Sequence, residues 1–198
     1  MVFAECIAVF WTLQCNEKTY TYMKILVFSD FHGNTNAVRK AVQIVRNLHP
    51  DKVVVCGDIF GGWFSRQEDI VAELKCIDAP LYLIRGNNDY PSDELLLPTP
   101  LEDCAVMYHF GRTLYFTHGD RYNAWRMPPL LKNGDVLVHG HTHVGMLKYY
   151  NGVLVANVGS MALPRDNVPD YLVLDESGAT LYDLADNVLQ HVDFTAVE

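Results

Sequence analysis

The sequence predicts an α/β fold in which two mixed β-sheets pack face to face and are flanked by helices. Three observations predict it. The first ninety residues alternate apolar runs with amphipathic helical segments, the pattern of parallel strands joined by right-handed crossovers. The later half replaces helices with short runs paired around tight-turn dipeptides, the pattern of antiparallel hairpins. At 198 residues, 49% apolar and 20% charged, the chain has the size and composition of one globular domain with a substantial core.

Residues 24–29 (KILVFS) form an uninterrupted apolar run, as a strand buried on both faces requires. Residues 35–48 place Val38, Ala41, Val42, Val45 and Leu48 on one helical face, and His49-Pro50 stops that helix. Residues 53–56 give the second strand. Ser65-Arg66-Gln67-Glu68 has the form of a capping box and opens a helix carrying Ile70, Val71, Leu74 and Ile77. Residues 81–84 complete the β-α-β-α-β half. Beyond residue 90, runs 105–110 and 113–117 flank Gly111-Arg112, a two-residue hairpin loop, and DVLVH (135–139) reads as a buried strand. Runs 145–150 and 153–158 flank Asn151-Gly152, the strongest short hairpin signal. Runs 171–175 and 179–184 flank Glu176-Ser177-Gly178, and 188–194 is a last strand. No repeat, low-complexity stretch or linker divides residues 23–198, which read as one domain. Residues 1–22 hold an apolar run, CIAVFWTL, with no basic leader and no small-residue cleavage site, and the run is too short to span a bilayer. They are read as an extension or an upstream start assignment before Met23, with an extra edge strand as the alternative.

Fifteen basic against 24 acidic residues give a net charge of −9, which argues against a broad nucleic-acid surface or attraction to an anionic membrane. Two divalent cations would still make a locally positive cleft in such a protein. The cysteines Cys6, Cys15, Cys56, Cys76 and Cys104 are odd in number and lack close paired spacing, so neither a disulfide framework nor a zinc knuckle is indicated. Cys56 and Cys76 lie in apolar segments and read as buried thiols, and a reducing cytoplasm fits this usage.

Five apolar runs end in residues able to bind a metal: Asp30-Phe31-His32, Gly57-Asp58, Gly86-Asn87-Asn88-Asp89, Thr117-His118-Gly119 and Gly140-His141-Thr142-His143. Taken singly each is weak, since Asp30 or Asp58 alone reads as a helix cap or loop residue and His118 alone as a satisfied core histidine. Taken together, carboxylate, imidazole and amide at successive strand ends are what two divalent cations need if one carboxylate bridges them. The mixed nitrogen and oxygen set suits Mn²⁺, Fe²⁺ or Zn²⁺ better than Ca²⁺. His49, His109 and His191 lack such support and read as structural or solvated; His139, on the strand entering the last of these turns, reads as packing, with the pocket rim as the alternative. The glycines in these motifs read as tight-turn and close-approach positions.

The series DxH, GD, GNxD, THG, GHTH resembles the calcineurin-like metallophosphoesterase superfamily, and the compact length resembles its small single-domain phosphodiesterase branch of bacteria and archaea. The likeness runs from residue 23 to the C-terminus. It implies a four-layer αββα sandwich holding two divalent ions, Mn²⁺ first and Fe, Zn or Ni as alternatives. One ion is assigned Asp30, His32, Asp58 and His143; the other takes Asp58, Asn87, His118 and His141, with Asp58 bridging. Asp58, Asn87 and His118 are thereby catalytic as well. The implied reaction is hydrolysis of a small phosphodiester by a metal-bridging hydroxide. Its alternatives are phosphomonoesterase or nucleotidase activity on the same centre, and a non-catalytic protein-binding scaffold like the relative of this fold in the retromer complex. Filled ligand positions argue against the scaffold. No membrane partner is expected, and homo-oligomerisation is left open.

Many members of the superfamily carry histidine third in the GNxD/E motif, where it protonates the leaving alkoxide. Here Asn88 stands there, an amide with no usable proton but able to hydrogen-bond a phosphate oxygen. Asp89 is expected to orient a ligand histidine or the loop, with an Asx-turn as the alternative. Asn157-Val158-Gly159-Ser160 resembles a loop in which proline is usual second, so valine puts its rigidity in question. Arg165 is a candidate phosphate contact. Phe31, Phe60, Trp63, Phe64 and Trp125 are candidates for stacking on a nucleobase or aryl group, against core or rim packing.

Overall fold

The computed structural model describes residues 23–61 and 66–194. The extension expected at residues 1–22, the stacking expected of Trp63 and Phe64, and the cap expected of Ser65 lie outside the described residues. In chain order the elements are β1 (Ile25–Phe28), α1 (Thr35–Leu48), β2 (Lys52–Val55), α2 (Gln67–Leu74), β3 (Leu81–Ile84), a 3-10 turn (Asp93–Leu96), β4 (Leu101–Glu102), β5 (Ala105–His109), β6 (Arg112–Phe116), β7 (Val136–His139), β8 (Met146–Tyr150), β9 (Val153–Asn157), β10 (Asp170–Asp175), β11 (Gly178–Asp183) and β12 (Val188–Asp193).

They form two mixed sheets: β12-β11-β10-β1-β2-β3-β4, and β5-β6-β7-β9-β8. Strands β1 to β4 are parallel to one another, as are β6, β7 and β9. Because side chains alternate along a strand, β1 serves two cores at once. Ile25 and Val27 face the inter-sheet core with Leu114, Phe116, Val136, Val138 and Leu154. Leu26 and Phe28 face α1 and α2, against Val38, Ala41, Val45, Ile70 and Leu74. Full burial of each such side chain contributes about 2 kcal/mol, which is why the run KILVF carries no polar residue between Lys24 and Ser29. The outer face of the smaller sheet, Tyr115, Leu137 and Val155, is covered by Tyr122, Met127 and Leu131 from the long connection before β7.

Helix α1 has the predicted bounds. Asn34 caps it, its Oδ1 accepting from the backbone N–H groups of Asn36 and Ala37 at 3.0 and 3.1 Å. Helix α2 differs from expectation: its N-cap is Arg66, without a side-chain cap bond, and it ends at Leu74, so Ile77 packs on the core from the following turn. The early stop also leaves Cys76 exposed, where burial was expected; Cys56 is buried. The first hairpin turns at Phe110-Gly111, one residue before the expected pair. Both take positive φ (56° and 71°), as a type I′ turn demands. Arg112 instead begins β6 and donates to Gly134 O and Phe194 O. The turn at Asn151-Gly152 is as expected, while Gly178 pairs with Asp175, which shortens the last loop to Glu176-Ser177. No helix among the described residues is long and apolar enough to cross a membrane.

Candidate metal centre

The five motifs lie just beyond β1, β2, β3, β6 and β7, at the carboxyl ends of parallel strands in both sheets. Bonds across the two sheets draw these ends together. His118 Nδ1 donates to Cys56 O at 2.8 Å, the backbone N–H of His141 donates to Asp30 Oδ2 at 2.9 Å, and Ser160 Oγ donates to Asp30 O at 2.7 Å. All seven expected ligand residues converge there.

Two clusters result. In the first, His32 Nε2 and His143 Nε2 face each other at 3.1 Å, and both face Asp30 Oδ1, at 3.6 and 3.2 Å. In the second, His118 Nε2 stands 3.0 Å from Asn87 Oδ1 and 3.1 Å from His141 Nδ1. Asp58 Oδ2 lies between them, 3.6 Å from His32 Nε2 and 3.5 Å from His118 Nε2.

These atoms suit cations. A carbonyl oxygen can only accept, so Cys56 O fixes the proton of His118 on Nδ1 and leaves the Nε2 lone pair aimed at another acceptor, Asn87 Oδ1. Leu163 O, 2.7 Å from His143 Nδ1, fixes that ring in the same way. Asp30 Oδ1 is buried without a hydrogen-bond partner. Acceptors crowded on acceptors need positive charge between them. Ligand atoms at right angles on a cation with bonds of about 2.1 Å stand about 3.0 Å apart, close to the 3.0–3.2 Å of the nearest pairs in both clusters.

Protonation shows the same demand. Burial pushes His118 down, but the hydrogen bond and charge of Asp58 overcome it and hold the imidazole up at about 9. Burial pushes Asp30 up, yet His143, His32 and His118 hold its carboxyl far below the usual carboxylate range. Asp58, likewise opposed by burial, is lowered by His118 and Asn88. A bound cation takes the place of such a proton.

Local backbone is committed to this geometry. Asp30, His32, Asp58, His141 and His143 all adopt left-handed φ, between 45° and 68°, which costs a non-glycine residue on the order of 1 kcal/mol or more. Gly86 permits a close approach: a Cβ there would collide with Asp58 N and Oδ1. At Gly140 it would collide with Ser29 and Asp30.

Other expected residues take definite places. Asn88 does not face outward; its side-chain amide donates to Asp58 Oδ2 at 2.7 Å. Asp89 accepts from Phe60 N and Gly86 N at 3.0 and 2.9 Å, so it ties two ligand loops together and contacts no histidine ring. Val158 is buried, and its N–H donates to His139 O at 2.7 Å, a bond proline could not make, so this loop is held without the imino acid. Arg165 is exposed, and its backbone N–H donates to His143 O at 2.9 Å. Phe31 and Phe60 belong to the helix-side core and are not available for stacking, whereas Trp125 is 90% exposed. His49 caps α1, and His191 pairs with Thr180 Oγ1. Burial pushes His139 down to about 4. Sequence reasoning missed the clasp of Asn88 on Asp58, whose sequence signal is slight, a glycine at Gly61 packed on Asn88 Cβ; His139, read as packing with the pocket rim as the alternative, does line a cavity.

The model of the calcineurin-like phosphoesterase superfamily domain matches residues 23–179. Phosphodiesterase YfcE of Escherichia coli K12 is 27% identical over 176 residues, covering 83% of this chain and 94% of its own. Phosphodiesterase MJ0936 of Methanocaldococcus jannaschii is 28% identical over 162 residues, covering 77% and 93%. The solved structure of the E. coli phosphoesterase Yfce superposes with a TM-score of 0.81 at 25% identity, over 87% of this chain and all of that one. The chain belongs to the calcineurin-like phosphoesterase superfamily, and its activity class is metal-dependent phosphoesterase.

Proposed function

We propose that this calcineurin-like phosphoesterase hydrolyses small phosphodiesters at a centre of two divalent cations, with Mn²⁺ as the first choice and Fe, Zn or Ni as alternatives. Asp30, His32 and His143 would hold one cation, Asn87, His118 and His141 the other, and Asp58 would be shared. The observation that carries this reading is the position of Asp58 Oδ2, within 3.6 Å of a ring nitrogen from each cluster. When bound, two such cations neutralise phosphate charge and acidify a water that can attack phosphorus.

The chain's own groups do the rest. Asn87 offers a neutral carbonyl oxygen, which leaves its cation more electrophilic than a carboxylate would. Arg165, whose backbone N–H is held by His143 O, would approach a phosphate from that side. Asn88 steadies Asp58 and gives no proton to a leaving group. The names of the E. coli and M. jannaschii relatives support diester over monoester as substrate. The free thiols of Cys56, Cys76 and Cys104 support a reducing cytoplasm.

The test is elemental analysis and steady-state kinetics on reconstituted protein. Two equivalents of metal per chain are expected, with diester hydrolysis lost in chelator and in Asp58→Asn. Full activity in chelator would overturn the reading.

A further inference from the structure

A cavity of about 270 Å³ opens beside the metal centre and shares His141 with it. Two of its lining side chains, His139 and Asn157, are only 2% and 3% exposed, and each keeps one polar atom without a partner. His139 Nδ1 donates to Gly140 O at 3.0 Å, which leaves the lone pair of Nε2 unused. Asn157 Nδ2 donates to Thr142 Oγ1 at 2.6 Å, which leaves Oδ1 unused. The two residues are cross-strand partners of β7 and β9, so their side chains leave the same face of the sheet, on backbones about 4.8 Å apart.

Both unused atoms are acceptors. Such buried acceptors are costly until a donor arrives, and two side by side ask for two adjacent donors. An ammonium ion would also donate, but no carboxylate lines the cavity to balance its charge. Adjacent neutral hydroxyls fit. The cavity is otherwise apolar on one side, where Trp125, 90% exposed, stands edge-on to Tyr150 at 6.3 Å with Met146 nearby. A flat ring laid there would cover an aromatic face now open to water.

We propose that this cavity binds the alcohol portion of the diester, His139 Nε2 and Asn157 Oδ1 accepting hydrogen bonds from a vicinal diol while Trp125 packs on an attached ring. The proposal rests on the phosphodiesterase reading above. Ribose in a nucleoside ester and a glycerol head group share the diol; Trp125 favours the nucleoside.

The experiment compares kcat/KM of the metal-loaded full chain on four aryl diesters. These are the 4-nitrophenyl phosphate esters of adenosine, of 2′,3′-dideoxyadenosine and of glycerol, with bis(4-nitrophenyl) phosphate reporting the centre alone. The adenosine ester should exceed its dideoxy counterpart by at least roughly tenfold, and His139→Phe should bring that ratio towards one. Trp125→Ala, at an exposed position that does not threaten folding, should lower kcat/KM for the adenosine ester by roughly tenfold. Preference for the glycerol ester, unmoved by Trp125→Ala, would keep the diol and assign it to glycerol. Equal rates for the adenosine and dideoxy esters, with the bis-aryl ester still cleaved, overturn the subsite and spare the phosphodiesterase reading, whatever becomes of the His139 variant. If no ester is cleaved, that reading fails, and binding decides the subsite. Adenosine quenching Trp125 fluorescence at lower concentration than dideoxyadenosine, with Trp125→Phe as blank, supports it; equal quenching overturns it.

Discussion

Asn88 holds Asp58 twice, with its backbone N–H on Oδ1 at 2.9 Å and its side-chain amide on Oδ2 at 2.7 Å. The sequence suggested that this amide would meet a phosphate oxygen; the structure turns it onto the carboxylate set between the two ligand clusters. Groups that orient a ligand typically matter about 10- to 100-fold in metal affinity or activity. Asn88→Ala should therefore weaken metal affinity and diester hydrolysis by that order, as read by metal titration alongside kcat. A rise in KM with metal affinity unchanged would return the amide to the substrate.

His49 tests a purely structural point. It sits after α1 at φ 45° and ψ 58°, with its backbone N–H on Val45 O, a conformation that costs a non-glycine residue about 1–2 kcal/mol. His49→Gly keeps the N–H and relieves most of that strain, less the added freedom of the unfolded chain. Net stabilisation of about 1 kcal/mol is expected, or a rise in Tm of roughly 2–4 °C, with no loss of diester hydrolysis. A Tm that stays level or falls would remove the strain argument.

Much of this molecule is legible in one dimension because its signals are local. The KILVF run, the helical face from Val38 to Leu48 and the Asn151-Gly152 turn each specify an element from a few residues. The convergence of the candidate ligands was legible because parallel strands deliver their carboxyl ends to one edge, which brings motifs at strand ends together. What the sequence hid was non-local or conformational. A two-residue strand such as Leu101–Glu102 carries no period, and α2 stops before Ile77 although the apolar spacing continues. Left-handed backbone at Asp30, His32, Asp58, His141 and His143 is imposed by contacts between loops, against local preference. The unused acceptors of His139 and Asn157 arise from a register between β7 and β9 that no single segment encodes.

Asp170 links stability to pH. It is 1% exposed, its Oδ1 accepts from Gly159 N at 2.8 Å, and its other oxygen lies where Gly145 and Gly159 leave no room for a Cβ. Burial, chiefly, pushes its carboxyl up from 3.8 to about 7. Folding therefore takes up a proton between those values. The stability tied to that proton is fully present below pH 3.8 and is lost as pH rises through 7. From pH 5 to pH 8 the loss is about 3 kcal/mol as an order of magnitude. Asp170→Asn should abolish this part of the slope and be the more stable chain at pH 8. Unfolding free energies of both proteins at the two pH values decide it: parallel pH profiles would show that Asp170 stays ionised in the fold.

Leaving-group chemistry follows from Asn88 as well. Its side chain carries no transferable proton at neutral pH, and its amide nitrogen is turned onto Asp58. The departing oxygen must then bear its own negative charge, so rate should fall steeply as leaving-group pKa rises, and aryl diesters should outrun alkyl diesters by a wide margin. Asn88→His supplies an acid at the position but releases one of the two bonds on Asp58. Those effects separate in a plot of log rate against leaving-group pKa for wild type and variant. Loosening Asp58 lowers the whole line, whereas a working acid flattens it, raising poor leaving groups relative to good ones by up to ~10²-fold. A wild-type line that is flat where chemistry limits the rate would mean that another group supplies the proton, and the role given to Asn88 would be wrong.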